Sequence, residues 1–267
     1  MMHRPILFLA LGAAGSLAPL VIATSVDDHY CYTQWEDVST IDNAPYDGRF
    51  TFFRVRFEPS SDFGGGGGRF GRGRGSDKKW DHDTPRAERH FMKILEEITM
   101  LRPKMDCGAI YAFGEAESFK YPIAYVSEPG FWTMDETELK GIQDYVKKGG
   151  FIIFDDFQGQ HWYNFEERWR QAFPDLQLQP IQKTDPIFDA FYDIRNSAMP
   201  NGGYGNQGQW IGAYEDNDPT KRLVAIANYN SDLGELMEFS DEGFVSIDLS
   251  NEAYKIMTNY VIYAMTH

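Results

Sequence analysis

Two patterns of hydrophobic and polar residues alternate along the chain after residue 48. Four segments have the apolar density or the alternation of β-strands, namely 49–57, 121–130, 151–155 and 222–230. Apolar residues recur at helical spacing in four further segments, which begin at Asp83 or Thr84, at Thr133 or Asp135, at Asn164 and at Asn251. Largely apolar strands that alternate with helices predict an α/β fold with a mostly parallel sheet covered on both faces.

The first 23 residues have the pattern of a secretory signal peptide. Arg4 precedes an apolar run over residues 6–23, and small residues end this run at Ala23. The alternative is a retained membrane anchor, which the glycines and the proline within the run disfavour. We therefore predict an exported protein of the periplasm or the extracellular space, with no integral membrane segment after signal removal.

Composition and charge narrow the classes of partner. The chain of 267 residues is 42% hydrophobic and 15% aromatic, which is typical of a folded protein. Its formal net charge of −15 argues against a nucleic-acid partner, because like charges repel.

Residues 24–48 are polar and are interpreted as an N-terminal extension, so the folded domain is predicted over residues 49–267. For the two cysteines, Cys31 and Cys107, a disulfide and a pair of free thiols both stay open.

A glycine- and arginine-rich tract interrupts the predicted domain at Gly64–Gly75. It lacks the Gly-Lys-Ser/Thr element that opens a helix in a phosphate-binding loop. Arginine–glycine tracts also bind nucleic acids, but an acidic exported protein has no evident nucleic acid to bind. We therefore predict that this tract is a flexible surface insertion.

The strongest chemical signal is the pair of adjacent carboxylates, Asp155 and Asp156, at the end of a predicted strand. In an open α/β sheet, ligands bind outside the carboxyl ends of the strands. Further candidates lie at other strand ends or at the starts of neighbouring helices: Arg54, Asp83, Arg86, Glu128, Gly130 and Trp162. We therefore predict a ligand-binding site at the carboxyl edge of the sheet.

Three interpretations of the aspartate pair stay open. In the first, Asp156 caps the following turn, and Asp155 bonds to Arg54 or to backbone amides. In the second, the pair binds a polar ligand such as a sugar, glycan or peptide, with Trp162, Tyr163 and Trp132 as stacking surfaces. In the third, Asp155, Asp156 and His161, alone or with Glu128 or Asp83, ligate a divalent cation for hydrolysis. Adjacent residues in a strand point to opposite faces, so we expect one aspartate in the crevice and the other tied to backbone amides of the following turn.

The polar residues around the first predicted helix are interpreted as structural. His82 and His90 are typical of partly exposed histidines with satisfied hydrogen bonds. Glu88 is placed as the capping-box partner of the residues before Pro85.

Several motifs resemble the DUF4159 family, a bacterial domain family of unknown function. They are FTFFRVRF, the WxxDxPRAExxF start of the first helix, YPIAYVSEPG, YVKKGGFIIFDDFQG and NYVIYA. The resemblance covers about residues 49–267 and implies a flavodoxin-like three-layer sandwich related to the class I glutamine amidotransferase-like fold. Those enzymes carry a nucleophilic cysteine after the strand that 151–155 resembles, whereas residues 155–159 here are Asp-Asp-Phe-Gln-Gly. Thiol-dependent amide hydrolysis needs a thiolate beside a base, so it is not expected.

These observations favour a non-catalytic binding or assembly module of the bacterial envelope. Its partner would be an envelope protein, a polar small ligand or a glycan. The alternative is a hydrolase that acts at Asp155 and Asp156, with or without the assistance of a divalent cation. Convergence of these aspartates with Glu128 or His161 in an open pocket would favour the enzyme, and their consumption by amides and arginines would disfavour it.

Overall fold

The computed structural model describes residues 43, 45–60, 78–105, 108–201 and 205–267. The predicted signal peptide, most of the predicted extension, the Gly64–Gly75 tract and both cysteines lie outside the described residues. Predictions about these segments therefore stay predictions.

The described chain contains seven strands and five α-helices. The strands are β1 (Phe53–Val55), β2 (Ala109–Tyr111), β3 (Ile123–Ser127), β4 (Phe151–Phe157), β5 (Gln179–Pro180), β6 (Gln209–Tyr214) and β7 (Leu223–Tyr229). The helices are α1 (Arg86–Ile98), α2 (Glu136–Lys147), α3 (His161–Ala172), α4 (Leu233–Glu238) and α5 (Ile247–Thr266). The four strands predicted from the sequence are confirmed as β1, β3, β4 and β7. Strand β6, the edge strand β5 and the short helix α4 were not predicted.

The strands form one sheet in the order β2-β1-β3-β4-β7-β6-β5. The first five strands in this order are parallel, and β6 and β5 are antiparallel to their neighbours. The order of the parallel strands reverses between β1 and β3, which is the arrangement of flavodoxin-like sheets. The predicted α/β, mostly parallel, three-layer fold is therefore confirmed.

Alternating side chains of the central strands bury into two separate cores. Tyr125 and Ile153 face the layer that includes α1, α4 and α5. Ala124, Ile152 and Phe154 face the layer that includes α2 and α3.

In the described ranges, no helix combines the length and the apolar character needed to cross a membrane.

The helix starts show where local sequence signals succeed and fail. Asp135 caps α2 through a complete capping box with Glu138, as a polar residue before an apolar run predicts. The predicted cap of α1 by Asp83 or Thr84 is wrong, because Pro85 occupies that position without a side-chain hydrogen bond. The capping role predicted for Glu88 is also wrong, because its carboxylate bonds to Arg54 in the interior.

Candidate functional site at the carboxyl edge of the sheet

The carboxyl ends of the parallel strands meet four polar segments of the chain. These segments are the connection from β1 into α1, the residue after β3, the last residues of β4 and the connection from β7 into α4. They supply His82 and Asp83, Glu128, Asp156, and Asp232 respectively. The reversal of strand order between β1 and β3 opens a crevice at this edge, because the flanking helices leave in opposite directions.

Asp155 is fully buried and has a complete set of hydrogen-bond partners. Its Oδ2 atom accepts hydrogen bonds from the Tyr125 hydroxyl at 2.7 Å and from the amides of Leu233 and Gly234 at 2.9 and 3.0 Å. Its Oδ1 atom accepts a hydrogen bond from Asn228 Nδ2 at 2.9 Å. The Oδ2 atom therefore joins β4 to the start of α4, and the Oδ1 atom joins β4 to β7.

The pKa of the Asp155 carboxyl is raised even though these donors favour its charged form. Burial raises its pKa to about 6, against the lowering effect of the hydrogen bonds from Tyr125 and Asn228, and the neighbouring charge of Asp156 raises the pKa further. Its amide partners belong to α4, not to the turn after β4 as the sequence predicted. Because its oxygens are occupied, the structure places Asp155 behind the candidate site and not among the available metal ligands.

Asp156 takes a different direction because β4 bulges at its end. Phe154 pairs with Ala227 and Phe157 with Tyr229, so β4 has one more residue than β7 in this interval. Asp156 accordingly adopts a left-handed backbone conformation, with φ at 59°. This conformation brings the Asp156 carboxylate to the wall of the open crevice.

His82 joins two of the acidic side chains in the crevice. Its Nδ1 atom lies 2.7 Å from Glu128 Oε1 and 3.6 Å from Asp156 Oδ2. Lys79 Nζ lies 3.5 Å from the same Glu128 oxygen. Burial lowers the pKa of His82, but its hydrogen bonds to Asp156 and Glu128 outweigh this effect and raise the pKa to about 11. The imidazole is therefore protonated at neutral pH.

Asp156 also belongs to a second group, formed with Asp83 and Asp232. One ligand atom from each of these three carboxylates lies within 4.8 Å of the other two. Asp232 Oδ1 accepts a hydrogen bond from the Glu235 amide at 2.7 Å and so caps α4. Burial and the mutual repulsion of these acids raise the pKa values of Asp83 and Asp232 well above the ordinary range.

The crevice beside these groups is an open pocket with a volume of about 180 Å³. Its walls include Lys79, Glu128, Asp156 and His161. Gly130 allows His161 to approach, because a Cβ atom at position 130 would lie 2.3 Å from the His161 Cβ atom. Burial lowers the pKa of His161, and its Nδ1 atom is buried with no hydrogen-bond partner among the described residues.

The remaining predicted site residues have other contacts. Arg54 is buried, pairs with Glu88 at 2.6 Å and donates to the Trp80 carbonyl at 2.9 Å. Of the two kinds of partner predicted for Asp155, Arg54 is therefore wrong and backbone amides are confirmed. Arg86 reaches Asp241 and Glu242 at 2.5 Å each, beyond the end of α4.

Trp162 packs beside the pocket instead of lining it. Its ring stacks on Phe157 with centroids 6.3 Å apart, and it contacts Tyr229 at 5.0 Å. The candidate stacking surface therefore lies next to the acidic pocket, and it is held by core aromatic residues.

Sequence reasoning missed three residues of this site. His82 was interpreted as an ordinary satisfied histidine, while Lys79 and Asp232 were not candidates. The only local signal was the run of polar residues around His82 and the polar sequence after β7. Neither signal shows that these segments, about 150 positions apart, approach the same carboxylates.

The fold and the pocket define a flavodoxin-like α/β protein with a histidine and carboxylates at the carboxyl edge of its sheet. The sequence model of the DUF4159 family, described as a domain of unknown function, matches residues 69–265, and the chain belongs to this family. This match confirms the resemblance seen in the motifs. A comparison with curated protein sequences finds no match.

Proposed function

We propose that the protein is an exported, non-catalytic binding module of the bacterial envelope that holds a divalent cation at the carboxyl edge of its sheet. The observation that supports this function is the convergence of His82, Glu128 and Asp156. One ligand atom from each lies within 4.8 Å of the other two, and two of the three residues, Glu128 and Asp156, line an open pocket.

The donor set suits a borderline divalent cation. One imidazole nitrogen and two carboxylates match the ligand preferences of Mn²⁺ and Zn²⁺ better than those of Ca²⁺, which takes oxygen ligands. The cation would replace the proton that His82 carries between the two acids. The repulsion between Glu128 and Asp156 would then be neutralised by the metal charge.

The pocket leaves the outer side of such a cation accessible to a polar ligand. Its volume of about 180 Å³ is large enough for several water molecules or for one small polar group. Hydroxyl and carboxylate oxygens of a glycan or peptide could replace those waters. The aromatic side chain of Trp162 lies beside the pocket on α3, against Phe157 and Tyr229, and offers a stacking surface.

Cation binding can be tested by calorimetric titration of chelator-treated protein with MnCl₂, ZnCl₂, MgCl₂ and CaCl₂ in turn. We expect binding of Mn²⁺ or Zn²⁺ that weakens at least about tenfold in His82→Gln and in Glu128→Gln, since each removes one ligand. The matched controls are His90→Gln, at a histidine on α1 outside the site, and Glu117→Gln, at an exposed acid. Absence of binding, or binding unchanged in both site variants, would overturn the proposed function.

A metal-assisted hydrolase is the second candidate, and His161 is the observation that favours it. Its imidazole lines the pocket, and burial lowers its pKa, so at neutral pH it can accept a proton. In a hydrolase, the His161 imidazole would accept a proton from a water molecule bound to the cation. Screening of ester, glycoside and phosphoester substrates with Mn²⁺ tests this candidate. Activity that is lost in His161→Gln while cation binding persists would establish it.

A further inference from the structure

The three carboxylates of Asp83, Asp156 and Asp232 form a second ligand set beside the proposed cation. We propose that this set binds a second divalent cation, so that Asp156 bridges two ions. The inference rests on the proposed function, because the first ion shares the Asp156 carboxylate.

The geometry of the three carboxylates supports this second ion. They come from the β1–α1 connection, the end of β4 and the β7–α4 connection, yet one oxygen of each lies within 4.8 Å of the other two. Oxygen-only ligand sets suit Mg²⁺, Ca²⁺ and Mn²⁺. Mn²⁺ is therefore the ion that fits both ligand sets.

The buried oxygen of Asp83 independently indicates a ligand at this position. Part of the residue is exposed, but its Oδ2 atom is buried and has no hydrogen-bond partner among the described residues. A buried carboxylate oxygen without a donor costs free energy, and native proteins rarely leave one unless an ion or water completes it. This oxygen also lies against α4, where a Cβ atom at Gly234 would be 2.3 Å away.

Two basic side chains lie near this group, and each also has another partner. Arg54 is committed to Glu88 and to the Trp80 carbonyl. The His82 Nδ1 atom lies 2.7 Å from Glu128 Oε1 and 3.6 Å from Asp156 Oδ2. A divalent cation would neutralise the three acids together.

The second ion predicts a specific pattern of Mn²⁺ stoichiometry, measured by calorimetry and by manganese analysis after desalting. The wild-type protein should bind two Mn²⁺ ions, and Asp83→Asn and Asp232→Asn should each bind one. His82→Gln should also bind one, while Asp156→Asn should bind neither ion tightly. Electron paramagnetic resonance should show coupled Mn²⁺ ions in the wild-type protein and an uncoupled spectrum in the single-ion variants.

The control for these variants is Asp185→Asn. Asp185 is another buried aspartate that accepts from a backbone amide at the start of a helical turn, and it bonds to Tyr214 away from the site. This variant should still bind two ions. Asparagine caps helices well and tolerates the left-handed conformation at Asp83, so the site variants are expected to fold, and circular dichroism checks this.

The outcomes separate the inference from the proposed function. One ion in the wild-type protein, lost in His82→Gln and retained in Asp83→Asn, overturns only the second ion. One ion that needs both His82 and Asp83 shows a single merged site and also overturns it. A stoichiometry of two ions that is unchanged in Asp83→Asn and Asp232→Asn would place the second ion elsewhere and overturn the inference. No bound ion overturns both the inference and the proposed function.

Discussion

Asp155 and Gly234 are 79 positions apart in the sequence, and Asp155 Oδ2 accepts a hydrogen bond from the Gly234 amide at 3.0 Å. The amide of Leu233 donates to the same oxygen at 2.9 Å. The end of β4 thereby fixes the start of α4, which positions Asp232 beside Asp156. One aspartate of the adjacent pair thus supports the site in which the other takes part.

Asp155→Asn should lower the free energy of unfolding by about 1–3 kcal/mol, because one buried donor loses its acceptor. An asparagine oxygen can still face α4, but its amino group would then meet the Asn228 Nδ2 donor. Burial also disfavours the charge that the substitution removes, so we expect the low end of this range. Urea denaturation measures the change. An unaltered midpoint and slope would contradict the anchoring role.

Asp156→Asn should be more stable than Asp156→Ala by about 1 kcal/mol, although both remove the carboxylate. The φ angle of 59° is costly for alanine and is tolerated by asparagine. Parallel denaturation curves of the two metal-free variants provide the measurement. Equal stability would show that the bulge at the end of β4 relaxes when the acid is removed.

Gly234→Ala should destabilise the protein by about 1–3 kcal/mol, even though alanine is the better helix former. The new methyl group would lie 2.3 Å from Asp83 Oδ2 and 3.0 Å from the Tyr125 hydroxyl. The Asp83 carboxylate must then move, so binding of the second cation should also be lost. Thermal unfolding and Mn²⁺ titration test the two effects. Retention of both properties would mean that α4 shifts at little cost.

Arg54→Met should lower the free energy of unfolding by about 3–5 kcal/mol, because it leaves the Glu88 carboxylate buried without its partner. The double variant Arg54→Met/Glu88→Met removes both charges and should recover most of this loss. A double-mutant cycle from denaturation curves gives the coupling. Additive losses in the double variant would show that the ion pair is not the source of the cost.

The metal-free protein should lose stability as pH rises from 6.5 toward 11. The pKa of His82 is raised to about 11 in the folded state, so the folded protein holds this proton more tightly than the unfolded chain. The stabilisation is complete below 6.5 and is lost as pH rises through the folded value. Solvent screening at the partly exposed His82 side chain limits the effect to about 1 kcal/mol. Denaturation at several pH values should show a flatter profile for His82→Gln, and identical profiles would refute the assignment.

The sequence by itself determined the layers of this protein and the edge that carries its polar groups. Apolar runs such as Phe151–Phe154 bury on both faces wherever they lie in a sheet, so they predict a central parallel strand without knowledge of its neighbours. Capping at Asp135 is equally local, because the residues involved are three positions apart. The placement of Asp155 and Asp156 at a strand end follows from the same local pattern.

Only the tertiary structure decided which of these acids is structural and which lines the pocket. That choice depends on a bulge in β4 and on amide donors of α4, and both arise from pairing with segments more than 70 positions away. The same holds for His82 and Asp232, whose neighbouring residues give no sign of Asp156. The sequence shows which side chains can carry a charge. Which of these charges interact depends on distances of a few ångströms, and only the folded chain sets those distances.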